Sequence, residues 1–427
     1  MKDFSLDFNG PKHATASRHM KIGFISTRFA GTDGVSLESS KWAEVLAEAG
    51  HEIFWFCGLS DRPPGVTHLV PEAHFEHADI AAISDSVWGK DSMEEGVERE
   101  VERLRELLQK EISSFVAGFD IDVLIPQNSL TIPMNIPLGL AISDLIQETG
   151  IPTIAHHHDF YWERERFRGT AATAWLEEAF PPWHPSIEHV VINNAAKKDL
   201  LERFSLESTV IPNVMNFEQS SPPAPTRERE LREAIGLAPE DRLILQPTRI
   251  IPRKGIELSI ELLARHGDPR NKLVISHPSG DEGHDYLESL QRLASDNQVD
   301  LRLIGELITS EEESAPDATR TFSLNELYPI ADFITFPSLY EGFGNALLEA
   351  IYFRKPLLVN RYSVFREDIE HAGLELIQID GEITDDTVQR FAAWLDSPPN
   401  PEKNVEIAKA HFGYDVLRER LLELLPR

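Results

Sequence analysis

Residues 333–350 read Phe333-Ile334-Thr335-Phe336, then Pro337-Ser338-Leu339, then Tyr340-Glu341-Gly342-Phe343-Gly344-Asn345-Ala346-Leu347-Leu348-Glu349-Ala350. The opening apolar run suits a buried strand and is too short for a helix. A turn containing two glycines follows, and then a run with helical spacing. A strand handed to a helix through a short turn is the repeating unit of a parallel sheet covered on both faces. Working outward, the same alternation recurs. Leu243-Ile244-Leu245, Leu273-Val274-Ile275, Leu301-Arg302-Leu303-Ile304 and Pro356-Leu357-Leu358-Val359 are further strands, with helical stretches between them. The first half repeats the pattern with Ile22-Gly23-Phe24-Ile25-Ser26, His51–Phe56, Val123-Leu124-Ile125, Thr153-Ile154-Ala155 and His189-Val190-Val191-Ile192. A helix carrying Trp42, Val45, Leu46 and Ala49 ends at Gly50, and a long charged helix buries a stripe through Val97, Val101, Leu104, Leu108 and Ile112.

Two such series in 427 residues predict two α/β domains, since one core rarely grows past about 250–300 residues. Thr209–Asn213 reads as the last strand of the first series, and Ser220-Ser221-Pro222-Pro223-Ala224-Pro225 has linker composition. The expected division is a leader or appended extension over 1–19, a first domain over 20–212, a linker over 213–228, a second domain over 229–410 and a terminal helix over 411–427. Met20 is the expected natural start. The acidic stretch Ser310–Thr321 reads as a surface loop.

Cys57 is the lone cysteine, which excludes an internal disulfide framework and fits a reducing, cytoplasmic setting. Seventy-one acidic against 41 basic residues give a formal charge of −30. Such a surface repels nucleic acid and anionic membranes, and no Lys/Arg cluster offers a docking face. No run reaches the roughly 18 uncharged apolar residues of a membrane helix. The most apolar stretch, Val123–Ile146, is broken by prolines, by Gln127, Asn128 and Asn135, and by Asp144. Neither a nucleic-acid partner nor stable membrane insertion is expected. Homo-oligomerisation stays open.

Ligands of doubly wound sheets sit past the carboxyl ends of strands. Glu341 lies in the turn after Phe336, and Glu349 about one turn into the helix, where side chains lean back toward the N-terminus. Amides near Asn345, Ala346 and Leu347 form an anion site aided by the helix dipole, and Gly342 and Gly344 let backbone approach a ligand. Hydroxyls at two places with phosphates between them describe a nucleotide sugar. An acidic loop before an ordinary buried helix is the plainer alternative. A second segment, Gln246-Pro247-Thr248-Arg249-Ile250-Ile251-Pro252-Arg253-Lys254-Gly255, places Arg249 at a strand end and Lys254 at a helix start. Two cations there offset the charge on a departing diphosphate, unless the turn is merely solvated. Arg253 is the less favoured cation, expected to point to solvent. Gly31 and Gly34 follow the first strand, where amides face a phosphate or simply make a tight turn. His156, His157, His158 and Asp159 close the Thr153 strand. His156 and His158 share a face, so a metal site is conceivable, but no partner cluster is visible.

The segment Tyr340–Ala350 resembles the signature of the family 4 retaining glycosyltransferases, two Glu residues separated by seven positions. The likeness runs over nearly all of the chain after Met20. It implies two Rossmann-like doubly wound parallel-sheet domains facing across a cleft (the GT-B fold), with the C-terminal helix crossing back to the N-terminal domain. By resemblance Glu341 contacts the donor sugar hydroxyls and Glu349 the ribose. The backbone of Phe343, Gly344, Asn345 and Ala346 serves the sugar and phosphates, Arg249 and Lys254 the diphosphate, and the Gly31–Gly34 loop the phosphate and acceptor. His158 is the closest match to a family histidine near the transferred sugar; a purely structural His158 is the alternative. Asn345 stands where the family often has an apolar residue. The implied reaction moves a hexose from a UDP- or GDP-sugar to an acceptor hydroxyl with retention. The nucleotide sugar is a co-substrate; no tightly bound cofactor and no metal is required. The acidic surface favours a small soluble acceptor, such as an osmolyte precursor or sugar, over a lipid or polysaccharide. The rivals are a nucleotide-sugar epimerase and a non-catalytic binding protein of the same fold.

Overall fold

A computed structural model describes residues 19–31, 33–169, 171–223, 225–277, 284–308 and 321–426. Residues 1–18 and most of the expected acidic loop, 310–320, lie outside the described residues. The first sheet contains β1 (Lys21–Ile25), β2 (Glu52–Cys57), β3 (Thr67–Leu69), β4 (Val123–Pro126), β5 (Thr153–His157), β6 (Ile187–Val191) and β7 (Ser208–Val210), in spatial order β3-β2-β1-β4-β5-β6-β7. The second contains β8 (Arg242–Gln246), β9 (Asn271–Ile275), β10 (Asp300–Leu303), β11 (Phe333–Phe336), β12 (Leu357–Asn360) and β13 (Ile377–Ile379), in the order β10-β9-β8-β11-β12-β13. Every pairing within these sheets is parallel. Both orders reverse beside the first strand, between β1 and β4 and between β8 and β11. These are the switch points where connections diverge and leave a crevice.

Apolar strands buried on both faces explain the helical cover. Helix α1 (Gly34–Glu48) starts at the Asp33 cap and buries Trp42, Val45 and Leu46. Helix α2 (Val97–Phe119) buries Val101, Leu104, Leu108, Ile112 and Phe115, and its Glu and Arg residues form the solvated face. Helix α3 (Ile136–Thr149), apolar almost all round, packs against α2. In the second half, α4 (Ile256–His266) and α5 (Asn345–Tyr352) follow β8 and β11.

The last helix, α6 (Tyr414–Leu424), returns to the first domain. Leu417 and Leu421 join the core of Met20, Ile22, Phe24 and Trp42, while Tyr414 donates to Glu44 at 2.8 Å and Arg418 pairs with Glu48 at 2.5 Å. Two details differ from the sequence reading. The strand expected over Thr209–Asn213 covers Ser208–Val210: the Ile211 amide makes a further bond to the Val191 carbonyl at 2.9 Å, and the chain then leaves the sheet as the crossover. Arg249 stands three residues past β8 rather than at its end. Among the described residues, no helix is long and apolar enough to cross a membrane.

Candidate active site

The end of β8 is held by one buried amide. Gln246 Nε2 donates to the Lys254 carbonyl at 3.0 Å, and Ser259 on α4 donates to Gln246 Oε1 at 2.7 Å, so the loop folds back over the strand. Gly255 closes it at φ +61°, where an added Cβ would meet the Pro337 carbonyl at 2.5 Å. Only glycine lets the two loops touch. Lys254 is thereby buried with its ammonium on Glu341 Oε1 and 5.9 Å from the centre of the Phe336 ring. Burial lowers the Lys254 pKa, and the Glu341 charge pulls the other way. Arg253 stays 38% exposed, yet it has partners that the sequence reading does not supply. Its guanidinium donates to the Tyr340 carbonyl at 3.0 Å and lies 3.3 Å from Glu341 Oε2. Arg249 is exposed, and its charge and that of Lys254 act on His277, just past β9. Burial, with these two cations, brings His277 down to about 4.

Helix α5 begins at Gly344, φ +110°, where a Cβ would meet the Tyr362 hydroxyl at 2.5 Å; that hydroxyl donates to the Phe343 carbonyl. No side chain caps the first turn, though the Leu347 amide already donates to the Gly344 carbonyl at 3.0 Å. Asn345 Oδ1 accepts from Asn213 Nδ2 at 2.7 Å, tying α5 to the crossover. Ala346 follows in the same turn. Glu349 accepts from the Tyr328 hydroxyl at 2.7 Å. Burial raises the Glu349 carboxyl, opposed by that hydrogen bond and by the charge of Lys41 on α1.

On the facing domain, His158 follows β5. Its backbone N–H donates to Asn128 Oδ1 at 3.0 Å, and its Nε2 lies 3.0 Å from Gln127 Oε1. Burial brings the ring down to about 4, against the opposing charges of Asp159 and Asp33. The Gly31 amide, expected to face a phosphate, donates instead to Asp61 Oδ2 at 2.9 Å. Gly34 opens α1, and the adjoining Val35 and Ser36 amides donate to Asp33 Oδ1 at 3.1 and 3.2 Å. A carboxylate therefore already fills that helix start. His156 and His158 do share a face, their ring centres 4.2 Å apart. Among the described residues, no group of three or more His, Cys, Asp or Glu is placed to hold a metal ion.

The two halves meet directly. Asn193 Nδ2 donates to the Gly342 carbonyl at 2.7 Å, and Tyr340 donates to Glu163 at 3.0 Å. A Cβ on Gly342 would lie 3.7 Å from the His158 carbonyl. The Glu341 loop, with Lys254 beneath it, thus abuts the His158 segment, whereas the Gly31 amide is engaged by Asp61 and Gly34 opens α1. Sequence reasoning passed over Asp33, Lys41, Gln127, Asn128, Asn193 and His277. Gln127, Asn128 and His277 follow strand ends, a positional signal that was available. Asn193, two residues past β6, carries the same signal; Lys41, on α1, carries none, because only the docking of the domains makes it a neighbour of the site.

Two facing domains of switched parallel sheets, with cations and carboxylates gathered at the second switch point, define a glycosyltransferase of the GT-B fold. The sequence pattern described as glycosyl transferases group 1 matches residues 227–411. The chain is similar to the mannosylglucosylglycerate synthase of Thermotoga maritima, at 35% identity over 95% of this chain and 100% of that one. The synthase of the same name from Petrotoga mobilis is 32% identical over 84% of this chain and 86% of its own. The crystal structure of Anabaena HepE in complex with UDP-glucose superposes with a TM-score of 0.58 at 14% identity, covering 95% of this chain and 99% of that one. The chain belongs to the glycosyl transferases group 1 family.

Proposed function

We propose that this enzyme transfers a hexose from a UDP- or GDP-sugar to a hydroxyl of a small soluble acceptor, with retention, as in family 4. The observation that carries the reading is the buried Lys254–Glu341 pair, flanked by Arg253 and set against the His158 segment across the cleft. A lysine ammonium has three N–H donors, so Lys254 can serve Glu341 and a diphosphate oxygen together. Arg249 supplies the second cation. Charge building on the leaving diphosphate is then met by groups already oriented and partly desolvated. Glu341 takes sugar hydroxyls and Glu349 the ribose, with the Phe343–Ala346 backbone between them. The departing phosphate helps deprotonate the acceptor on the same face, and His158 orients the sugar or acceptor. Neither a metal nor a bound cofactor has a part in this scheme.

The acceptor binds mainly to the first domain, over 20–212, and the donor to the second, over 229–410. Two relatives named for making mannosylglucosylglycerate support a small acceptor built of sugar and a hydroxy acid. Such an acceptor, the acidic surface and the lone Cys57 suit a cytoplasmic enzyme. The test is a thermal-shift screen across UDP- and GDP-hexoses, followed by acceptor screening with the best donor. One donor class should stabilise the protein and support transfer to glucosylated hydroxy acids. Turnover confined to lipid acceptors on sedimented membranes would overturn the acceptor assignment. Nucleotide bound away from Lys254 and Glu341 in a soaked crystal would overturn the donor site.

A further inference from the structure

Two imidazoles meet one amide at the floor of the first switch point. Gln127, fully buried, follows β4; its Oε1 lies 2.9 Å from His156 Nδ1 and 3.0 Å from His158 Nε2. The backbone holds the amide there, because Gln127 bridges to His156 in parallel register and donates its N–H to the Ile25 carbonyl at 2.8 Å. The rings are held as well. Trp42 stacks on His156 at 4.0 Å and 18°, and His156 lies 4.2 Å from His158.

An amide oxygen only accepts hydrogen bonds. Both rings must therefore offer it an N–H, His156 from Nδ1 and His158 from Nε2. A neutral imidazole has one N–H, so Nδ1 of His158 keeps its lone pair. No residue donates to that nitrogen among the described residues, and His158 as a whole is half-buried rather than fully enclosed. We propose that Gln127 is a positioning residue that locks His158 in its Nε2–H tautomer, so that Nδ1 accepts a hydrogen bond from a ligand hydroxyl in the cleft. The proposal rests on the reading of His158 as a residue of the transfer site.

The groups facing His158 are Asp159, beside it in the chain, and Asp33 from the start of α1, which favour a charged ring. His156 and His157 also neighbour it, and burial of all three rings keeps them neutral. The competing arrangement is the amide turned over. Gln127 Nε2 is buried and has no partner among the described residues, and turning it toward the rings would reverse both tautomers together.

The test uses the full chain with ¹⁵N-labelled histidine, its ring resonances assigned with H156Q and H158Q. At pH 7 His158 should be protonated on Nε2 and His156 on Nδ1; both rings in the opposite form would overturn the proposal. Q127E gives a second arm, since a carboxylate accepts but cannot donate. It should keep both tautomers while its charge moves the acid limb of kcat/KM upward by about one pH unit. Reversed tautomers, or an unmoved acid limb in folded Q127E, count against the proposal. UDP and GDP titrated into both proteins separate the two ideas: a wild type binding neither nucleotide refutes the donor site and leaves the tautomer result standing. Donor KM and acceptor KM, measured separately in Q127E, tell which hydroxyl the ring receives.

Discussion

Lys254 sits where two demands meet. Its ammonium is buried on Glu341, and burial alone would favour loss of its charge. Replacing Lys254 by Ala leaves Glu341 with Arg253 at 3.3 Å, so the fold should survive. The charge on the leaving diphosphate loses a fixed partner, and kcat should fall about 100-fold or more. Steady-state kinetics on the K254A enzyme, with circular dichroism as the folding control, checks this. Unchanged turnover would remove Lys254 from the reaction.

The histidines make a separate prediction at the same scale. His156, His157, His158 and His189 are all held below the usual imidazole range by burial, His158 and His189 at about 4. An unfolded histidine takes up its proton near pH 6.5. Between 6.5 and 4 the unfolded chain therefore binds more protons than the folded one, and stability falls as pH falls. At pH 5 the loss is roughly 2 kcal/mol for each ring held at 4. Urea denaturation midpoints should drop steeply from pH 7 to pH 5. A flat profile would mean that the rings are not buried as described.

At the scale of elements, the β8–α4 and β11–α5 connections act as one unit. The Leu339 amide donates to the Arg253 carbonyl at 2.8 Å, and Gly255 lies against Pro337. An alanine at 255 would need a positive φ and would strike a carbonyl. G255A should cost at least about 2 kcal/mol of stability and displace Lys254 from Glu341. Denaturant titration measures the first effect. A donor KM raised together with a lowered kcat would register the second. The alternation of strands and helices was legible because each element carries its own periodicity. The shift of Arg249 off the strand end was not legible, because Pro247 and Thr248 still look extended in sequence. The partners of Arg253 were not legible for a similar reason: Tyr340 and Glu341 lie nearly ninety positions away.

Across the whole molecule, α6 joins the end of the chain to its beginning. Leu421 is fully buried in the core it shares with Ile22 and Trp42. L421A should destabilise by about 3 kcal/mol, and the loss should appear in the first domain, although the residue follows the second. Hydrogen exchange resolves this: amides of β1 and α1 should lose protection before those of β8 and β11. Equal loss in both domains would mean that α6 does not belong specifically to the first.

Local pattern sufficed for two parallel α/β units and for a strand–turn–helix bearing Glu341 and Glu349, because burial on both faces of a sheet and capping of a helix leave their marks within a few residues. The pairing of those acids with Lys254, Arg253 and Tyr328, the shared amide of Gln127 and the closure of Asn193 onto Gly342 arise only when distant segments are brought together. Side-chain charge and hydrogen bonding depend on what lies a few ångströms away in space, and the domain interface supplies those neighbours from opposite ends of the chain.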